Sequence, residues 1–152
     1  MDCTKFKVNG ILILFFCVSI TACYPTYDEV ARVSSPNGLV DAVLVETNGG
    51  ATTSFGYVVF LETDSFWGTK QTKVGHLYGA IRSDNAYGVN LVWVTGTTLQ
   101  LEYLKTQDIF FRLTKVEVAD IDFKILFRSG IYDPDAPSGG MHYNLMGRPK
   151  LQ

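Results

Sequence analysis

The sequence has no cysteine beyond position 23: Cys3, Cys17 and Cys23 are its three, all near the start of a chain of 152 residues. A domain built from the remainder has no thiol pair to close and must stand on its apolar core. At about 130 residues it can, because a chain of that size buries roughly two-thirds of the surface that it exposes when unfolded. Charge of one sign is also lacking. Thirteen Lys and Arg against fifteen Asp and Glu give a formal net charge of −2, with the basic residues scattered, which argues against nucleic acid as a partner. Histidine is restricted to His76 and His142. No G-x-S-x-G elbow, Walker loop, G-x-G-x-x-G, H-E-x-x-H or C-x-x-C occurs. A zinc site would need both histidines and several carboxylates gathered by the fold. The sequence therefore names no cofactor, no metal ligand and no catalytic residue. Helical periodicity longer than two turns is missing after residue 30 as well.

What is present is a β-rich composition, with 14 glycines, 13% aromatic residues and recurrent β-branched side chains. Turn residues punctuate short apolar runs. Residues 29–34 read as a weak strand, followed by the Ser34–Leu39 turn, in which proline and Asn-Gly supply the backbone angles. Val40–Thr47 reads as a second strand. Asn48–Ser54 reads as a glycine-hinged loop whose threonines satisfy its backbone, with anion cradling as the alternative. Phe55–Glu62 is apolar on both faces and so belongs at the centre of a sheet. Ser65–Thr72 reads as a polar connection and Lys73–Ile81 as a strand. Thr95–Thr98 joins residues 89–94 and 99–104 in a hairpin. Ile109–Val118 reads as one strand. Ile121–Arg128 alternates cleanly, with Ile121, Phe123, Ile125 and Phe127 on one face and Asp122, Lys124 and Arg128 on the other. The expectation is an all-β domain, a single small antiparallel β-sandwich or incomplete barrel of about seven or eight meandering strands.

The first residues carry a different signal. Lys5 and Lys7 precede an apolar run from Ile11 to Ile20, shorter than the roughly 20 residues of a membrane-spanning helix and suited to a signal-peptide helix. The run ends in Ile20-Thr21-Ala22-Cys23. This tetrapeptide resembles the lipobox of bacterial lipoproteins, an aliphatic residue and two small ones ahead of a cysteine. Small side chains let a peptidase close on the backbone, and the cysteine sulfur forms a thioether to lipid. The resemblance implies removal of residues 1–22, lipidation of Cys23, and attachment to the cell membrane or outer membrane through that lipid, facing the periplasm or cell exterior. Tyr24, where lipoproteins kept in the inner membrane of enteric bacteria often have aspartate, permits outer-membrane delivery. The expected organisation is a signal peptide over 1–22, an extended tether over 23–30, a β domain over 31–128 and a Gly/Pro-rich C-terminal segment over 129–152.

The body offers a second resemblance. Ser35-Pro36-Asn37-Gly38, the run to Leu61 containing Gly50-Ala51-Thr52-Thr53, and the hairpin Trp93–Tyr103 are similar to a family of small bacterial envelope proteins with no assigned activity. The family implies a fold and nothing about chemistry. Candidate contacts lie in residues 138–149, where Met141, His142, Tyr143, Met146 and Arg148 mix adaptable and rigid groups suited to an envelope protein or polymer. The same residues would alternatively cap an open sheet end. The expected function is a non-catalytic binding or structural module. The alternatives are a periplasmic enzyme inhibitor, or a small hydrolase pairing His142 with Asp133 or Asp135, two carboxylates that otherwise read as an Asp-Pro turn.

Overall fold

The alternation of residues 121–128 becomes a strand whose Phe123 and Ile125 are buried while Asp122, Lys124 and Arg128 remain exposed. The computed structural model describes residues 25–66, 68–83 and 85–133. These form eleven strands and, among the described residues, no helix: β1 (Thr26–Ser34), β2 (Asp41–Asn48), β3 (Gly56–Ser65), β4 (Gly68–Tyr78), β5 (Arg82–Ser83), β6 (Ala86–Tyr87), β7 (Asn90–Thr95), β8 (Thr98–Tyr103), β9 (Asp108–Arg112), β10 (Lys115–Val118) and β11 (Ile121–Ser129). They build a five-stranded sheet in the order β1-β2-β3-β4-β9, a four-stranded sheet in the order β10-β11-β8-β7, and the small hairpin β5-β6.

The two larger sheets share one core, as in a β-sandwich, and neither closes into a barrel. Leu44, Tyr57, Val59, Leu61 and Leu77 enter the core from the first sheet, and Leu99, Leu101, Phe123 and Ile125 from the second. Along one flank the indole N–H of Trp93 in β7 donates to the Val33 carbonyl in β1 at 2.9 Å, joining the sheets with a half-buried polar handle. At Gly75 the sheets approach tightly: a Cβ there would meet Leu101 at 3.2 Å and Phe127 at 3.4 Å. β3 lies between β2 and β4 and is buried on both faces along most of its length, as its unbroken apolar run requires.

The antiparallel all-β reading holds for most pairs, with four differences in detail. Residues 26–30, assigned to a tether, are the first half of β1: Thr26–Glu29 pair with Val45–Asn48 of β2, and a bulge at Val30 leaves that residue unpaired in the ladder and buried in the core. Residues 68–72, read as connection, continue β4; they pair with Leu61–Ser65, and a run of polar residues in β4 itself erases the alternation there. The single strand expected over 109–118 is two, β9 and β10, one in each sheet. β11 pairs with β8 in parallel, so the chain is not a simple meander. That crossover passes through β9 in the opposite sheet, which gives the parallel connection the length it needs.

Candidate functional site

The lipidation residue Cys23 and the contact residues Met141, His142, Tyr143, Met146 and Arg148 lie outside the described residues, as does Asp135. Asp133 is described. Its carboxylate accepts from the Asn90 amide at 2.8 Å and its backbone N–H donates to the Asn85 carbonyl at 2.9 Å, so it fastens the end of the sandwich. The other histidine, His76, sits on the outer face of the first sheet with Phe110 edge-on at 5.2 Å, and Phe110 stacks on Tyr78 at 5.2 Å. Partial burial and the nearby Lys73 ammonium both lower the His76 pKa. The loop after β2 satisfies itself: Gly50 N–H donates to the Asn48 side chain at 2.8 Å, and Thr53 donates to the Gly50 carbonyl through its amide at 3.1 Å and its hydroxyl at 3.0 Å. Its polar groups serve the turn. Among the described residues no cluster of His, Cys, Asp or Glu has the make-up of a metal site.

A buried polar cluster lies under the β5-β6 hairpin. Glu46 is 1% exposed, and its two oxygens accept from the Arg82 guanidinium and the Tyr87 hydroxyl, each at 2.9 Å. Arg82 lies over the Phe55 ring at 4.2 Å and the Tyr87 ring at 5.4 Å. The fully buried Tyr57 packs edge-on to Tyr87, and burial followed by repulsion from the Glu46 charge pushes its phenol pKa well above the ordinary tyrosine value. Its ring fills the space beside Gly88: a Cβ at that position, where φ is +42°, would stand 2.1 Å from Tyr57 Cζ. The contacts of this cluster join β2, β3 and the β5-β6 hairpin to one another. It anchors the hairpin to the sheet and offers no approach to a substrate.

On the outer face of the first sheet Arg32 bridges Glu29, Asp41 and Glu62 across three strands. These carboxylates, Glu29 first, hold the Arg32 guanidinium pKa above its already high ordinary value. This cation is fully committed.

The contrast comes at the opposite edge. After β9 the chain leaves the first sheet at Leu113, whose N–H donates to the Val74 carbonyl at 3.0 Å. The next residue, Thr114, already receives the Ile125 N–H of the second sheet at 3.0 Å. The splay between these two attachments opens a wedge beside β11, a cleft of about 420 Å³ lined by Arg112, Thr114, Lys115 and the β11 run from Lys124 to Arg128, which includes the apolar Ile125, Leu126 and Phe127. Its volume falls in the range of small-ligand sites, roughly 300–1,000 Å³. Arg112 lies over the Phe127 ring at 4.7 Å, which fixes the direction of its guanidinium. Lys115 and Lys124 are direct cross-strand partners. Among the described residues no carboxylate lies within salt-bridge distance of any of these four cations. Two residues along the same ladder, and so on the same face, Glu117 and Asp122 stand opposite each other, and Glu102 is the register partner of Arg128 between β8 and β11.

The cleft can hold an anion; its hydroxyl and cations supply donors and positive charge. The sequence signal for it was present but divided, Arg112 and Lys115 falling in one expected strand and Lys124 and Arg128 on the polar face of another. Reading the cations as scattered was right along the chain and wrong in space. Comparison with protein-family models, with curated proteins and with solved structures returns no match to this chain.

Proposed function

We propose that the protein is a lipid-anchored lipoprotein of a bacterial envelope whose β-sandwich is a non-catalytic binding module, with the basic cleft as its binding surface. The observation that carries the anchor is Ile20-Thr21-Ala22-Cys23 at the end of an apolar run, two residues ahead of Pro25, where the described chain begins. A lipidated cysteine there places a water-facing domain directly beside its bilayer. Two or three acyl chains, at about 0.8 kcal/mol per buried CH₂, hold it stably where one would not. The binding role rests on the cleft, whose cations make no salt bridge among the described residues.

The anchor is tested by growing a bacterium that expresses the full chain in radiolabelled palmitate, then measuring the mass of the N-terminal peptide. The expected result is label on the wild type, a peptide that begins at an acylated Cys23, and loss of both in Cys23→Ser. Label that survives Cys23→Ser, or an unlabelled wild-type chain, overturns it.

A further inference from the structure

The Lys115–Lys124 pair presents a physical problem. Like charges placed directly opposite on neighbouring strands repel, with Cβ atoms about 5 Å apart, and destabilise the sheet. Arg112 and Arg128 line the same wedge, Arg112 on the Phe127 side of β11 and Arg128 on the face it shares with Lys124, so the cations flank the wedge from two sides. The arginines of the first sheet's side are answered, Arg32 by three carboxylates and Arg82 by a buried one, whereas Lys70, Lys73 and Lys105, spread singly along the chain, make no salt bridge among the described residues. A domain with excess negative charge overall has carboxylates available, yet none approaches these four within salt-bridge distance among the described residues.

We infer that the cleft binds an anion bearing two or more phosphate groups. This deepens the reading of the cleft as the binding surface and does not depend on lipid at Cys23. A monovalent carboxylate would neutralise one cation and leave the others repelling. A chain of phosphates spreads several charges along the wedge and answers them together. The two residue types divide the work. The planar guanidinium of Arg112, braced on Phe127, suits bidentate contact with phosphate oxygens, whereas Lys115 and Lys124 act as point charges that tolerate variation in where the next phosphate sits. Thr114 adds a hydroxyl donor at the apex of the splay. The aliphatic stems and the Phe127 ring form walls that raise the local strength of these charges relative to open water. Recognition of this kind reads charge and spacing, so the ligand class is a phosphodiester or polyphosphate group, carried by an envelope polymer, a soluble anion or a lipid headgroup.

The test titrates inorganic tripolyphosphate into the full chain in detergent by calorimetry, at low and at physiological salt. The wild type is expected to bind tripolyphosphate more tightly than orthophosphate, with affinity falling as salt rises. Replacing both lysines, Lys115→Gln with Lys124→Gln, is expected to weaken binding at least roughly tenfold, the scale of losing charge-assisted contacts. Lys70→Gln, on the exposed start of β4, is expected to leave it unchanged. Because the double variant removes a repulsion, its thermal midpoint should match or exceed the wild type, so lost binding is not lost folding. Competition separates the sources: displacement by bicelles containing phosphatidylglycerol, but not by phosphatidylcholine bicelles, assigns the phosphates to a lipid surface, and no displacement by either assigns them to a polymer or soluble anion. Absence of tripolyphosphate binding at low salt, or equal binding by the double variant and the wild type, overturns the inference while leaving the Cys23 result untouched.

Discussion

At the scale of single residues, polar side chains in this fold divide by what answers them. Glu46 is withdrawn from water and held by Arg82 and Tyr87, an arrangement in which removing one partner costs far more than the pair contributes. His76 is different, because among the described residues no group of opposite charge shifts it: Lys73 lies on its own strand, and Phe110 supplies a ring edge-on and Tyr78 stacks on that ring. Burial and Lys73 keep its folded pKa below the ordinary value of 6.5. The unfolded chain therefore takes up a proton that the folded chain resists, and stability rises with pH across that interval. The contribution is fully present above the unfolded pKa and is lost as pH falls from there through the depressed folded value. Thermal midpoints of the wild type are expected to drop between about pH 8 and pH 5.5, and His76→Gln to drop less over the same range. Equal drops in the two proteins would show that the imidazole does not contribute.

At the scale of elements, the strands most legible in the sequence are those with one wet and one dry face. Residues 121–128 declare their period, and Thr95–Thr98 declares its hairpin, because burial on one side writes the pattern directly. The break between β9 and β10 was not legible: Leu113-Thr114 contains no glycine or proline, and the chain changes sheets there on hydrogen bonds to Val74 and Ile125 that only the assembled fold provides. The extension of β4 over residues 68–72 was hidden for a related reason, since Gly68-Thr69-Lys70-Gln71-Thr72 has no apolar side chain and is a strand only through its pairing with Leu61–Ser65. The cleft follows from the first of these hidden features, so the candidate site could not be seen before the splay was. The Lys115–Lys124 pairing in that splay has an energetic signature. Lys115→Glu sets opposite charges across the ladder and is expected to stabilise the domain by about 0.2–1 kcal/mol. The check is the urea midpoint, which should rise with an unchanged slope. Glu117, two residues along β10, tempers this gain, and a fall in the midpoint would show that the lysines already find their charge balance within the fold.

At the scale of the whole molecule, the register fixes which end of the sandwich meets a bilayer if Cys23 carries lipid. β1 begins at Thr26, only three residues on, and three extended residues reach at most about 11 Å. The strands continue that end across the first sheet: Thr26 pairs with Asn48, Thr47 with Gly56, Gly56 with Tyr78, and Tyr78 with Asp108. The opposite end, at Ser34 and Asp41, lies eight residues further along β1, about 27 Å away at strand spacing. Arg112 is four residues up β9 from Asp108, so the cleft stands roughly 13 Å from the near end when measured along the strands. That exceeds the screening length of about 8 Å at physiological salt, and it favours phosphate presented from beyond the headgroup plane over phosphate within it. A paramagnetic lipid headgroup in bicelles reports this geometry. Amide signals of Asn48, Gly56 and Asp108 are expected to broaden most, those near Arg112 less, and those of Ser34, Asn37 and Asp41 least. Uniform broadening, or a gradient running the other way, would detach the sandwich from the short tether and with it the direction in which the cleft is presented.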